Sequence, residues 1–297
     1  MNGTRDYPGF WHATLLCVMF VAFQMFFAVP FAILDVVLKL ELTRHPGVLG
    51  GINLFAFAAV MMLGRLIGRS ALPEIVPLRA ISVQAIAGVF ASGAGAIIVL
   101  SEVDNLVRLV LPVPEWLVEL FNELISPSDR FWSSAFLLVI VAPVTEELLF
   151  RGLILRGFLR RFSVGRAFVL SSILFGAVHL NPWQFISATA LGILFAWWYA
   201  RTRSLIPCLI GHALFNAAVL TSPWLPIEIQ GFNAGDPLTS TGLQPLWFDM
   251  LGILLLAAGV WLFHGAAPPT RRATPPPLSA PGAEVPPAIP TANQDRL

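Results

Sequence analysis

Glu146 and Glu147 stand side by side in Pro143-Val-Thr-Glu146-Glu147-Leu-Leu-Phe-Arg151-Gly152, a stretch otherwise apolar enough to cross a bilayer. A carboxylate at the centre of a membrane helix costs roughly 2.5–3.5 kcal/mol on insertion scales, so an adjacent pair needs a reason. Two apolar segments downstream each carry one histidine, His179 and His212, and Asn216 follows His212 by one helical turn. Carboxylate, imidazole and amide groups gathered in apolar surroundings could activate a water and meet developing negative charge. That is the chemistry of hydrolysis.

On a helix, Glu147 and Arg151 are four apart, one above the other and in the favourable acid-first order. Glu146 points about 100° away and lacks that partner, which leaves it available as a general base or acid. Pro143 removes a backbone hydrogen bond just before the pair and can kink the helix toward a cavity. Depth supports convergence. Arg160-Arg161-Phe-Ser163 reads as a turn, with Glu147 16 residues before Ser163 and His179 16 after it. His212 and Asn216 share one face by their spacing, about 14–20 Å beyond Arg203 along a helix. Each group also has a bland reading. A lone membrane histidine can simply bond a neighbouring helix, and a Glu–Arg pair near a helix end can be structural. Matched depth favours a common site over separate coincidences. His12, His45 and His264 fall at segment ends, where solvated or interfacial roles are expected. Asp35, Asp249, Gln24 and Gln84 are isolated and receive no role.

The elements that must position these groups follow from composition. The 297 residues are 57% hydrophobic and 12% charged, against about 25% charged in a soluble domain, and mean hydropathy is +0.77. The expected fold is therefore all-α and polytopic, with about eight transmembrane helices: Ala13–Leu34, Val48–Gly68, Ile81–Leu100, Phe131–Phe150, Ala167–Leu180, Trp183–Ala200, Leu205–Thr221 and Leu246–Phe263. The first apolar run is too long for a signal-peptide core and is read as a retained anchor. With both termini in the cytoplasm, only Lys39, Arg44, Arg108 and Arg130 fall outside, as the positive-inside rule requires. Trp116, Leu117, Leu120 and Leu124 lie at helical spacing opposite Glu115, Glu119 and Glu123, which predicts an interfacial helix. Ala87, Ala91 and Gly95 form a small-residue stripe for helix packing.

Four regions result: spans and outer connection over 1–130, a core over 131–222, a connection and last span over 223–264, and a Pro-rich, disordered tail over 265–297. Net charge of +1 argues against nucleic acid as a partner. Cys17 and Cys208 offer neither a disulfide framework nor a metal-ligand spacing. Oligomeric state is left open.

Glu146-Glu147-x-x-x-Arg151, Phe175-x-x-x-His179 and His212-x-x-x-Asn216 resemble the three motifs of the CAAX prenyl endopeptidase and bacteriocin-processing (CPBP or ABI) family. The run Gly192-Ile-Leu-Phe-Ala196, then Ser204-Leu205, resembles the family's lead into its third motif. The likeness covers about 131–220. It implies an intramembrane endopeptidase acting on a membrane-associated or lipidated protein or peptide. Glu146 and His179 would activate water, Glu147 would belong to the catalytic set, His212 and Asn216 would stabilise the oxyanion, and Arg151 and Phe175 would support them. Two histidines and a glutamate also make a thermolysin-type zinc set, so Glu146, His179 and His212 are the ligands if a metal is present. No HExxH occurs, and the metal-free version is preferred. A proton-coupled transporter and a non-catalytic immunity or regulatory membrane protein remain as other classes. No inverted repeat supports transport.

Overall fold

In lipid, apolar runs of this length satisfy their backbone groups only as helices or closed barrels. The computed structural model describes residues 7–68, 72–125, 130–234 and 242–266, and among them the fold is helical without a strand. Helix α1 (Phe10–Leu38) turns back into α2 (Pro46–Gly68). Asp35, given no role from sequence, clamps that turn: its carboxylate accepts from Leu42 N–H at 2.6 Å, Thr43 N–H at 2.9 Å and the Thr43 hydroxyl at 2.6 Å. Short α3 (Leu72–Ile75) and an extended connection lead to α4 (Val83–Val110), then to α5 (Glu115–Ile125). In α5, the predicted interfacial helix, Trp116 is 65% exposed and Leu117 only 6%. One side thus rests on protein while the other is left for surroundings.

The helix that carries the acidic pair, α6, runs without a break over 131–161 but not with one geometry. α-Helical turns at Phe131–Ala135, Ala142–Glu147 and Arg156–Arg161 alternate with wider π-helical stretches at Phe136–Val141 and Leu148–Leu155. Pro143 supplies the local cause of the first, because a proline ring crowds the preceding turn and provides no N–H. The helix before Pro143 thus departs from regular α geometry as a widened turn.

The remaining helices are α7 (Val164–Ala177), α8 (Pro182–Thr202), α9 (Ile206–Thr221) and α10 (Leu246–Ala266). The α6–α7 turn falls at Phe162–Ser163, as predicted. Asn181 caps α8 through its side-chain oxygen, with Pro182 in the first turn where no N–H is needed. The small-residue stripe is present at Gly95 but differs at its other two positions. Gly88, Ser92 and Gly95 of α4 meet Gly252, Leu256, Gly259 and Phe263 of α10, whereas Ala87 is exposed. Gly95 is shared with the expected stripe, while Gly88 and Ser92 replace Ala87 and Ala91, because glycine permits the closer backbone approach.

Helices cover all eight apolar segments, but the crossing count is a separate matter. Five helices, at Phe10–Leu38, Pro46–Gly68, Val83–Val110, Ile206–Trp224 and Leu246–Ala266, are individually long and apolar enough to cross a membrane. At 14 residues, α7 is about 21 Å long, short of a hydrocarbon core of roughly 30 Å. The Pro-rich tail from 267 onward lies outside the described residues.

Candidate active site

Glu147 is at the centre of the polar cluster. Its side chain is fully buried and Arg151 is 2% exposed, so the charges must be held by the protein rather than water. Arg151 Nη1 donates to Glu147 Oε1 at 2.8 Å, and Nη2 reaches the Gly192 carbonyl of α8 at 3.2 Å. The guanidinium also lies 4.5 Å from the Phe175 ring centroid and 5.2 Å from that of Phe195. A planar cation suits this slot between π-faces and a carbonyl better than a compact ammonium would.

The same Glu147 oxygen accepts from His212 Nδ1 at 2.8 Å. A carboxylate paired with arginine only accepts, so Nδ1 carries a proton and Nε2 faces the other way. There it lies 3.8 Å from Glu146 Oε2. Glu146 Oε2 is a buried oxygen with no hydrogen-bond partner, although the Glu146 side chain as a whole retains 15% exposure. The neighbouring acids are thereby divided: Glu147 fixes the imidazole, and Glu146 is left to face it.

His179 lies just beyond the end of α7, and its Nδ1 is 2.9 Å from the Phe175 carbonyl. A carbonyl cannot donate, so this histidine too is protonated at Nδ1 with Nε2 uncommitted. His179 makes no hydrogen bond or ion pair with Glu146 among the described residues. The two imidazoles meet a common wall instead: the Phe175 ring is edge-on to His179 at 5.3 Å and to His212 at 5.8 Å between centroids. Phe175 therefore joins Arg151, His179 and His212 in one contact set. Asn216, a turn beyond His212 on α9, donates from Nδ2 to the Leu138 carbonyl of α6 at 2.7 Å. The six residues singled out by type and spacing, and Phe175 from the family resemblance, are thus within one region, tied by α6, α7, α8 and α9.

The zinc alternative requires Glu146, His179 and His212 around one ion. Among the described residues, no three His, Cys, Asp or Glu side chains are grouped so as to hold a metal. The donor set as placed does not fit.

Several participants lie outside the three motifs, Gly192 and Phe195 among them although they belong to the run that leads into the third. Thr145, fully buried, places its hydroxyl 2.8 Å from Asn53 Oδ1 on α2 and 2.9 Å from the Val141 carbonyl. Asn53 was legible as a lone amide within an apolar span, a pattern that marks helix–helix bonding. Phe195 and the Gly192 carbonyl were not legible as partners of Arg151, because ring stacking and backbone acceptance depend on where α8 lies. Beside the site, a cavity of about 220 Å³ is bounded by α4, α5, α8 and α9. Ile97, Leu100, Leu117, Trp183 and Phe232 give it an apolar lining, and Asn181 and Phe215 connect it to the segments that carry His179 and His212.

Residues 128–218 match the family described as type II CAAX prenyl endopeptidase Rce1-like. The chain is 32% identical over 89 residues to "Putative membrane peptidase YdiL" of Bacillus subtilis (strain 168), covering 30% of this chain and 36% of that protein. It is 34% identical over 82 residues to "UPF0177 protein YxdF" of Lactococcus lactis subsp. lactis (strain IL1403), covering 27% of this chain and 45% of that one. The chain thus spans between a third and a half of the length of the curated relatives it matches. No solved structure gives a significant match. The likeness to the CPBP motifs and the family match fall on the same third of the chain.

Proposed function

We propose that this chain, whose core over 128–218 matches the Rce1-like type II CAAX prenyl endopeptidase family, is an intramembrane endopeptidase. The observation that carries the reading is the arrangement around His212: Nδ1 bonded to Glu147 at 2.8 Å, and Nε2 turned toward Glu146 at 3.8 Å. Glu146 takes a proton from water, while His179 Nε2 accepts that water's other hydrogen bond and orients it. The hydroxide formed adds to the scissile carbonyl, and Glu146 returns the proton to the departing amine. His212, when protonated at Nε2, and the second amide proton of Asn216 face the oxygen on which charge develops. Glu147 and Arg151 hold the imidazole without touching substrate. No step is routed through a metal.

The substrate is a membrane-associated or lipidated protein or peptide. The apolar cavity beside the histidine-bearing segments supports this, since apolar lining with a few polar groups is the usual character of such a site. The acting membrane is the plasma membrane if the host is a bacterium, with both termini cytoplasmic.

The test is cleavage of a membrane peptide by purified protein in lipid discs. Glu146→Ala and, separately, His179→Ala are expected to reduce turnover by about 10²–10⁴-fold, the range for losing a general base, with unchanged helical content and elution. Undiminished cleavage by either variant removes that residue from the mechanism, and no cleavage by the wild-type protein defeats the peptidase reading. Turnover is expected to survive chelation with no stoichiometric zinc in the protein. Activity falling in step with zinc loss overturns the metal-free mechanism.

A further inference from the structure

Ala142 N–H reaches back five residues to the Leu137 carbonyl, which continues the wide register of the first π stretch. The next amide in that register is at position 143, and proline has no N–H to give. The Leu138 carbonyl is therefore left without the donor that the helix would supply. A carbonyl stranded in this way must find another partner, and here the partner comes from a different helix: Asn216 Nδ2, at 2.7 Å.

We infer that Pro143 is a positioning residue, which acts by leaving the Leu138 carbonyl open to hold the Asn216 amide. A planar amide has two N–H groups in fixed relation. Anchoring one on Leu138 sets the direction of the other, which the proposed mechanism uses. His212 is on the same face of α9 one turn earlier, so the anchor also registers that imidazole against α6. Two further bonds on the Pro143 turn act alongside it. Thr145 bonds back to Val141 and across to Asn53 of α2, and Pro143 itself is buried. The turn that widens at Pro143 is thus fixed from both sides, by α2 through Asn53 and by α9 through Asn216. The widened turn before the proline and the amide's position are two parts of one device.

Replacing Pro143 with alanine returns an N–H to the helix, where it competes for the Leu138 carbonyl and frees Asn216. The turnover part of the test rests on the peptidase reading; the stability part does not. Pro143→Ala, Asn216→Ala and the double variant are compared in lipid discs for kcat, KM and thermal unfolding. Pro143→Ala is expected to lower kcat by about tenfold with KM little changed and with Tm equal to or above that of the wild type. A proline needed only for folding would not give that split. Asn216→Ala is expected to lower both kcat and Tm in the parent, and to lower each by clearly less in the Pro143→Ala background, where the carbonyl already has a donor. Full kcat in Pro143→Ala, or an equal effect of Asn216→Ala on kcat and Tm in both backgrounds, overturns the inference. If the wild-type protein cleaves nothing in the same assay, the peptidase reading fails by itself, and the non-additivity in Tm between positions 143 and 216 still decides whether the anchor exists.

Discussion

Glu146 and Glu147 differ by one position in sequence and by nearly everything in their surroundings. Glu147 is enclosed with Arg151, and its bonded oxygen serves the guanidinium and His212 together. Removing either charge of a buried pair leaves the other uncompensated, at a cost of about 3–5 kcal/mol, while replacing both with apolar groups of like volume is often neutral. Glu147→Ala and Arg151→Ala are therefore each expected to lower thermal stability sharply in detergent. A Glu147→Met/Arg151→Met double variant should recover most of that stability without recovering activity, because His212 has lost its acceptor. Arg151→Lys tests geometry rather than charge. An ammonium keeps the ion pair but cannot also span to the Gly192 carbonyl and lie flat between Phe175 and Phe195. The expected outcome is a folded protein with turnover down about tenfold or more, measured on the same membrane peptide. Wild-type turnover in Arg151→Lys would show that only the charge matters.

At the scale of elements, close approach between α4 and α10 depends on the absence of side chains. A Cβ on Gly95 would lie 2.2 Å from the Leu256 backbone nitrogen, and one on Gly259 would lie 2.1 Å from that of Ser92. Backbone cannot yield as a flexible side chain can, so Gly95→Leu and Gly259→Leu must separate the helices. An overpacking cost of about 1–3 kcal/mol or more is expected, read as a lower unfolding temperature. Ala87→Leu, on the exposed side of α4, should be neutral. If Ala87→Leu proves the damaging change, the stripe predicted from Ala87, Ala91 and Gly95 is the true interface. Gly152 plays a similar part on α6, where a Cβ would come within 2.3 Å of the Ile75 carbonyl and push away the segment following α3. That segment is bonded to the α8–α9 junction, Leu205 N–H to the Pro77 carbonyl at 2.9 Å and the Ser204 hydroxyl to the Arg79 carbonyl at 2.6 Å. The Ser204-Leu205 pair preceding the third motif thus fixes the start of the helix that carries His212.

For the molecule as a whole, the proposed orientation rests on the arginine distribution. Arg156 and Glu74 form an ion pair between α6 and the end of α3, with Arg160 nearby, at the side assigned to the cytoplasm. Trp116 of α5 is on the side assigned to the exterior. Cys17 and Cys208 are buried, so introduced cysteines can be labelled over a low background. Arg160→Cys in intact cells should resist a membrane-impermeant maleimide and react after lysis, whereas Trp116→Cys should react in both. The opposite pattern inverts the topology without altering the site.

The chain's local chemistry determined a good deal by itself. Hydrophobic length and low charge required helices in a membrane, because backbone groups there have no water to bond. The cost of placing Glu146, Glu147, His179 and His212 in apolar segments favoured a shared region over separate ones. Spacing of four placed Glu147 over Arg151 and His212 near Asn216. Tertiary structure decided the division of labour. Which acid holds the imidazole and which faces it depends on the approach of α9, as do the destination of the Asn216 amide and the use of Gly88 and Ser92 in place of Ala87 and Ala91. Sequence periodicity gives the direction of a side chain about its own helix axis. It carries no information on the rotation and depth of the neighbouring helix, and those set every contact between them.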